Sequence, residues 1–101
     1  MEQYYFAERY DPNPSVERVQ AVIRVLQTSI SSPIMVQRWN LFDLTYESQC
    51  FETSEELRSA QDAGGSLYKD AEQWHFASKR YVNEWCNKYP KFKHFMQLGS
   101  I

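Results

Sequence analysis

The side chains with the most reactive chemistry are two cysteines and two histidines, which could bind a metal ion or supply a nucleophile and a base. His75 and Cys86 both fall in the stretch WHFASKRYVNEWCNKYPKF, residues 74–92. If one helix carries both, their spacing of eleven residues corresponds to roughly 16 Å along the helix axis. Zinc ligands lie within about 2.3 Å of a common ion, so these two side chains cannot share one. The spacing therefore predicts no metal site and no bound cofactor.

Motifs for nucleophilic catalysis are absent from the sequence. Cys86 and His94 have no Cys–His signature around them, and an activated thiolate needs a base within hydrogen-bond reach. No G-x-S-x-G segment occurs, and the glycine pair at 64–65 is not followed by the Lys and Ser/Thr of a phosphate-binding loop. The acidic pair at 55–56 suits the first turn of a helix, where the helix dipole favours negative charge. We therefore predict that the protein is not an enzyme.

Charge is distributed unevenly along the chain, although its net value is only −2. Residues 1–66 carry five arginines against ten carboxylates, which gives −5, whereas residues 67–101 carry six cations against three carboxylates, which gives +3. Every lysine lies in the second part. Such asymmetry can mark an end that binds a polyanion. The competing interpretation is that the two parts fold against each other and their fields largely cancel.

Composition and length indicate one domain, residues 1–101, with a high aromatic share of 16%. The N-terminal MEQYYFAERYD lacks the basic and apolar regions of a signal peptide, and no apolar run reaches membrane-spanning length. We therefore expect a small soluble cytoplasmic protein that makes no membrane contact. In that compartment Cys50 and Cys86 are expected to stay reduced.

Helical signals are strongest in the first half of the chain after a short N-terminal strand over residues 3–10. Asn13 and Pro14 suit the N-cap and first position of a helix that runs to about Ile30. One face of this helix would hold the apolar residues Val16, Val19, Val22, Ile23, Leu26 and Ile30. Residues 34–47 fit helical spacing, but Phe42, Leu44 and Tyr46 also alternate as in a strand. We favour a helix for 34–47.

In the second half, Thr53 and Glu56 form a capping-box pattern that predicts a short helix ending before Gly64. Ser66 can cap a long helix over residues 67–89, which Pro90 ends, and a final turn or short helix covers 91–98. On the long helix the buried face would include Trp74, Tyr81 and Trp85. The sequence thus predicts a mainly α fold, a compact bundle of four to five helices that can also hold a small β element from residues 3–10 and 40–46. The alternative is an α+β fold.

Phe76 does not fit the buried face of the long helix, because it lies roughly 200° around the axis from Trp74. The N-terminal segment or the 91–98 tail could cover it, or it could contact a partner. The lysines around Pro90 form a basic, aromatic end to the domain, although cations near a helix C-terminus also simply favour the helix dipole. The candidate partner-binding residues are Phe76, Lys79, Arg80, Lys88, Lys91, Phe92 and Lys93.

Three functional hypotheses follow from these residues. The first is a small non-enzymatic protein-binding regulator, inhibitor or accessory subunit, with Phe76 or Phe92 as an apolar anchor and the cations as a rim. The alternative is nucleic-acid binding through the basic end at residues 79–93, which would weaken steeply with salt because phosphate contacts release counterions. The third is a homo-oligomeric structural protein, for example a homodimer in which Phe76 or the tyrosine-rich N-terminus meets its own copy.

Overall fold

The computed structural model describes residues 1–8, 19–68 and 71–96, which form a five-stranded antiparallel sheet with helices on both faces. The strands are β1 (Glu2–Glu8), β2 (Val19–Leu26), β3 (Ile34–Asn40), β4 (Thr45–Phe51) and β5 (Trp74–Ala77). The helices are α1 (Ser54–Ala63), α2 (Lys79–Lys88) and α3 (Pro90–Met96), and short 3-10 turns cover Ser66–Tyr68 and Ala71–Gln73. The sheet order is β4-β3-β2-β1-β5, so β4 and β5 are its edges.

Alternation along the strands builds two separate cores. On one face, Tyr4 and Phe6 of β1 pack in a cluster that α2 and α3 cover. Neighbouring Tyr5 and Ala7 point the other way, toward a cluster that includes residues of α1 and of the 3-10 turn at 66–68. This follows from the pleat, which sends successive side chains to opposite faces of a sheet. The sheet therefore separates α2 and α3 from α1.

The prediction of a mainly α bundle is wrong, and the structure is of the α+β class. The predicted helix up to Ile30 is instead the strand β2, and Ile30 itself is 98% exposed in the following turn. Val19, Val22 and Ile23 are buried as expected, but on both faces of a strand. A central strand covered on both faces reads as a nearly continuous apolar run, and such a run contains helical spacings too. Asn13, Pro14 and Val16 lie outside the described residues.

The predicted helix over residues 34–47 is also wrong, because this stretch forms β3, a turn and the start of β4. Helical spacing grouped Trp39 with Phe42, but Trp39 is fully buried whereas Phe42 is 97% exposed in the turn. The β-branched and aromatic residues that alternate here were the valid signal. The small β element predicted at 40–46 thus identified only part of a full hairpin.

The long helix predicted over 67–89 exists only from Lys79 onward. Ser78 rather than Ser66 is its N-cap, since the Ser78 Oγ accepts a hydrogen bond from the Tyr81 amide at 3.1 Å. Trp74 belongs to the edge strand β5, where β1 supplies the pairing partner. Because that partner lies about seventy positions away in sequence, no local pattern could indicate the pairing.

Three local predictions are confirmed. Residues 3–8 of the predicted strand form part of β1, and the predicted final helix is α3 up to Met96, while residues 9–10 and 97–98 lie outside the described residues. The capping box is present at α1, where the Glu56 amide donates to the Thr53 Oγ1 at 3.2 Å. The Glu56 carboxylate in turn accepts from the Glu52 amide at 2.9 Å, one residue before the expected partner. Gly64 ends α1 with a φ of 68°, a left-handed conformation that glycine adopts without steric cost.

Candidate functional site

Helices α2 and α3 form a layer over one face of the sheet, which we call the basic helical layer. Its inner side is apolar, with Val82, Trp85 and Cys86 of α2 and Met96 of α3 buried against the sheet. Tyr89 joins the two helices, and its amide donates to the Trp85 carbonyl at 3.1 Å. Pro90 then opens α3, where its missing N–H costs nothing. The two helices are thus held as one unit with their polar sides outward.

The outer side of this layer is strongly cationic. Its charged side chains are Lys79, Arg80, Lys88, Lys91 and Lys93 against the single carboxylate of Glu84, a formal charge of +4. Helix α1, on the opposite face of the sheet, carries three carboxylates against Arg58, a formal charge of −2. Helices α2 and α3 therefore carry positive formal charge on one face of the sheet, and α1 carries negative formal charge on the other. The acidic and basic parts of the chain do fold against each other, because β5 pairs with β1 and Lys79 contacts Glu2, but α1 lies on the other face of the sheet from α2 and α3.

An aromatic stack connects the cations to the core. The Phe92 ring lies parallel to the Trp85 ring, with centroids 5.5 Å apart and planes inclined by 10°. Trp85 in turn contacts Phe6 of β1 at 5.2 Å. The Lys91 ammonium lies 5.8 Å from the centroid of Phe92, within the range of a cation–π contact. Phe92 is therefore half-buried, and it supports a cation rather than standing free as an anchor.

The other cations make contacts that leave them open to solvent. Arg80 pairs with Glu84 one turn along α2 at 3.2 Å, and the Arg80 side chain remains 89% exposed. Lys93 donates to the Asn87 amide oxygen at 2.8 Å, and Lys88 lies 5.8 Å from the Tyr89 ring centroid. Exposed pairs of this kind contribute at most about 1 kcal/mol each. A phosphate group could therefore replace these contacts at little cost.

Lys79 is the cation that ties the layer to the sheet. Its ammonium lies 3.1 Å from Glu2 of β1, and the same carboxylate accepts from Arg24 of β2 at 2.8 Å. Arg24 also donates to Gln37, and Gln37 donates to the Tyr46 hydroxyl at 2.9 Å. This polar chain crosses β1 to β4 beneath the α2 side of the sheet. Desolvation alone would raise the pKa of Glu2, but the hydrogen bonds and charges of Lys79 and Arg24 outweigh it and leave the pKa lowered.

The Glu2→Gln variant is expected to lose about 1 kcal/mol of stability near neutral pH and almost none near about pH 3. The folded-state pKa of Glu2 lies below its ordinary value of 4.5, so the ionised form stabilises the fold above that pH. This contribution disappears as the pH falls through the folded-state value. Urea denaturation at both pH values measures the difference, with the exposed Glu72→Gln as the control. An equal loss at both pH values would contradict the assignment.

Phe76 lies apart from the cations. It belongs to the edge strand β5 and shares the sheet face of Tyr5, whose ring contacts it edge-on at 6.1 Å. The Phe76 side chain is 68% exposed, as its position away from the buried helix face had suggested. The exposure arises because Phe76 lies on an edge strand, not because it lies on the polar side of a helix. Among the seven candidate residues, the structure brings together the five cations and Phe92 and places Phe76 on the opposite face of the sheet.

Residues in the β3–β4 turn were missed by the sequence analysis. Phe42 is 97% exposed there, and Leu44 is 45% exposed with a φ of 56°. The sequence could have indicated them, because the segment NLFDLT holds three apolar residues between two strand-like runs. Turns at such a place normally carry Gly, Asn or Asp. The helical interpretation of 34–47 concealed it.

The reactive side chains are spread over the fold. Cys86 is buried under the basic helical layer, and burial raises the pKa of its thiol despite the opposing charge of Lys93. Cys50 is exposed on β4, and His75 is exposed on β5. In the part of the chain that the structure describes, no three His, Cys, Asp or Glu side chains lie close enough together to hold a metal ion.

Comparison with protein-family models, with curated proteins and with solved structures returned no match. Over residues 1–8, 19–68 and 71–96, no helix has the length and apolar character needed to cross a membrane.

Proposed function

We propose that the protein binds nucleic acid through the outer side of the basic helical layer. The carrying observation is the segregation of charge, since five cations and one carboxylate occupy α2 and α3 while acidic α1 lies across the sheet. Phosphate contacts supply most of the sequence-independent affinity of such proteins. Lysines act there as point charges that position the backbone without reading the bases. The proposal is therefore phosphate-dominated binding with weak sequence preference.

The geometry supports this proposal better than the protein-binding hypothesis. That hypothesis used Phe76 or Phe92 as an anchor within a rim of cations, but the sheet lies between Phe76 and the cations. Phe92, the other proposed anchor, is stacked on Trp85 and covered on one side by Lys91. A hot spot needs an aromatic side chain available to enter a partner's pocket. The surface around residues 79–93 instead offers cations supported by aromatic rings.

The test replaces three lysines of the layer together, Lys88, Lys91 and Lys93, by glutamine. Binding of fluorescent single-stranded and duplex DNA is followed by anisotropy over a series of salt concentrations. We expect wild-type affinity to fall steeply with salt and the triple variant to bind at least tenfold more weakly. Its slope of log K against log salt should be shallower by about 2–3, since each lost phosphate contact removes about 0.7–0.9.

The matched control replaces the same three lysines by arginine, which keeps the charge and should keep both affinity and slope. Circular dichroism checks that each variant retains its helices. Absence of binding by the wild-type protein at low salt would contradict the proposal. If the glutamine variant kept the wild-type slope of log K against log salt, the phosphate contacts would have to lie outside α2 and α3.

A further inference from the structure

The outer edge of β4 carries backbone groups that no described strand satisfies. The Leu41 amide donates to the Gln20 carbonyl at 2.8 Å, so the backbone of Leu41 bonds toward β2. Successive residues of an antiparallel strand direct their backbone N–H and C=O groups to opposite sides. The even-numbered residues of β3 therefore bond toward β4. Those residues pair with odd-numbered residues of β4, for example Arg38 with Glu47. The amides and carbonyls of Tyr46, Ser48 and Cys50 must therefore point away from the sheet. Within residues 1–8, 19–68 and 71–96, β4 pairs only with β3.

This edge lacks the features that usually prevent edge-to-edge pairing. Natural edges are kept short, bulged, or marked with lysine or proline. The strand TYESQCF has seven residues, no lysine, no proline and an uninterrupted register with β3. Its single charge is Glu47, whose carboxylate already accepts from the Ser66 hydroxyl at 3.2 Å. The opposite edge, β5, has only four residues.

The turn that leads into β4 contains residues that are unfavourable for the stability of an isolated turn. Leu44 adopts a left-handed conformation, which costs a residue with a Cβ roughly 1 kcal/mol relative to glycine. Phe42 beside it exposes nearly its whole ring. Asp43 and Thr45 hold the turn through two hydrogen bonds to the Asp43 Oδ1, of 3.1 and 2.6 Å. Such backbone strain beside exposed apolar side chains is typical of a segment that contacts another molecule.

We propose that two copies of the chain pair through β4, antiparallel about a twofold axis at Ser48, to form a continuous ten-stranded sheet. This register uses the whole strand from Thr45 to Phe51, because Ser48 is its midpoint. It places outward-bonding residues opposite each other, Tyr46 against the partner subunit's Cys50. Glu47 lies opposite the partner subunit's Gln49, which can donate to it. An axis at Glu47 would instead oppose two like charges, which is destabilising.

The same axis brings the turn close to the partner. Because β4 begins at Thr45 and ends at Phe51, the turn that precedes Thr45 lies at the end of the partner subunit's β4, where that copy's α1 begins. The exposed Phe42 and Leu44 then lie near the other copy. A strand from a different protein could pair with the same edge. It would not account for the match of Glu47 with the hydrogen-bond donor Gln49 when TYESQCF pairs with its own copy.

The dimer would also place both basic helical layers on one side. An antiparallel pair of identical strands in one sheet has its twofold axis perpendicular to the sheet, so equivalent faces stay together. Two layers of formal charge +4 would then form one extended cationic surface. That consequence rests on the proposed function, whereas the pairing itself does not. If the dimer is disproved and the salt dependence of DNA binding persists, the nucleic-acid proposal survives, and the reverse also holds.

The first test uses Ser48→Pro against Ser48→Ala. Proline removes the outward amide of Ser48 without breaking a bond to β3, and edge strands tolerate it at such positions. Light scattering after size exclusion is measured at about 10 and 100 µM protein, without nucleic acid. We expect wild type and Ser48→Ala to give twice the chain mass of 12.0 kDa and Ser48→Pro to give the single mass. A monomeric wild-type protein overturns the proposal and leaves the edge to a strand from another protein.

A second pair of variants keeps the test decisive if proline unfolds the chain. Ser48→Glu would place two carboxylates on the twofold axis, whereas Ser48→Gln adds similar volume without charge. We expect the dimer dissociation constant to rise at least tenfold for the glutamate variant relative to the glutamine variant. A dimer that the glutamate leaves unchanged, in a folded protein, overturns pairing at this edge.

The axis is tested by cross-linking with a short bismaleimide that spans about 8 Å. In the proposed register the two Ser48 Cβ atoms lie about 5.5 Å apart, whereas the two Cys50 residues lie roughly 14 Å apart along the strands. The Ser48→Cys variant in a Cys50→Ser background should cross-link into a dimer, and the wild-type protein should not. Cross-linking of the wild-type protein through Cys50 with equal efficiency overturns the axis at Ser48.

Discussion

Replacement of Trp85 by alanine is expected to lower the free energy of unfolding by about 3–5 kcal/mol. Trp85 is 8% exposed and makes ring contacts in three directions, with Phe6 at 5.2 Å and with Tyr89 and Phe92 at 5.5 Å each. Alanine would remove the apolar area and leave a cavity beneath both helices of the basic helical layer. Because small domains are stable by only about 5–15 kcal/mol, this loss is a large part of the total.

The measurement is urea denaturation followed by circular dichroism. The matched control is Trp74→Ala, which removes the same side chain from a half-buried position on the edge strand β5. We expect the control to lose less than half as much, since less apolar area returns to water. Equal losses at the two tryptophans would contradict the expectation that the difference in their burial sets the difference in stability.

Replacement of Arg38 by alanine is expected to cost about 2–5 kcal/mol, because it truncates a buried side chain and removes the donor to buried acceptors. Arg38 is only 1% exposed although it lies in the central part of β3. Its Nε donates to the Asn40 Oδ1 at 2.6 Å, and its Nη1 donates to the Leu67 carbonyl at 3.3 Å. It thus fastens the 3-10 turn at 66–68 to the sheet. Alanine would leave those acceptors without a donor and open a cavity.

Two further variants separate the causes. Arg38→Met fills most of the space and removes only the donors, so it should lose less than alanine but still more than about 1 kcal/mol. Arg58→Ala removes an exposed arginine from α1 and should change stability by no more than about 0.5 kcal/mol. A small effect of Arg38→Ala, similar to that of Arg58→Ala, would show that the buried guanidinium adds nothing to the fold.

Arg38 also shows why the strands were harder to predict than the points at which helices begin and end. The helix predicted over residues 34–47 rested on the spacing of its apolar and aromatic residues and took no account of Arg38, a residue type that is seldom buried. In the sheet its guanidinium donates to Asn40 nearby and to the Leu67 carbonyl, which lies in a turn 29 positions later. The same problem arose in β2, where helices on both faces remove the alternation that identifies a half-exposed strand. Periodicity was uninformative where burial was complete.

Signals that depend on a few adjacent residues were more dependable. The α1 cap needs only Thr53 and Glu56, and the prediction that a helix ends before Pro90 needs only that proline, since α2 ends at Lys88. The prominence of Phe76 was also detected, although on the wrong element. The separation of Phe76 from the cations could not be predicted, because it follows from the pairing of β5 with β1.

By itself the sequence determined the uneven charge, the capped helix α1, the short N-terminal strand and the lysine-rich end. These properties depend on composition or on neighbouring residues, so they survive any error about the fold. Only the tertiary structure decided that residues 19–26, 34–40 and 45–51 are strands, that α1 and α2 lie across a sheet from each other, and that β4 is an edge strand of the sheet formed by the described residues. Those outcomes depend on hydrogen bonds between distant segments, and their free energy is gained only once the strands have come together.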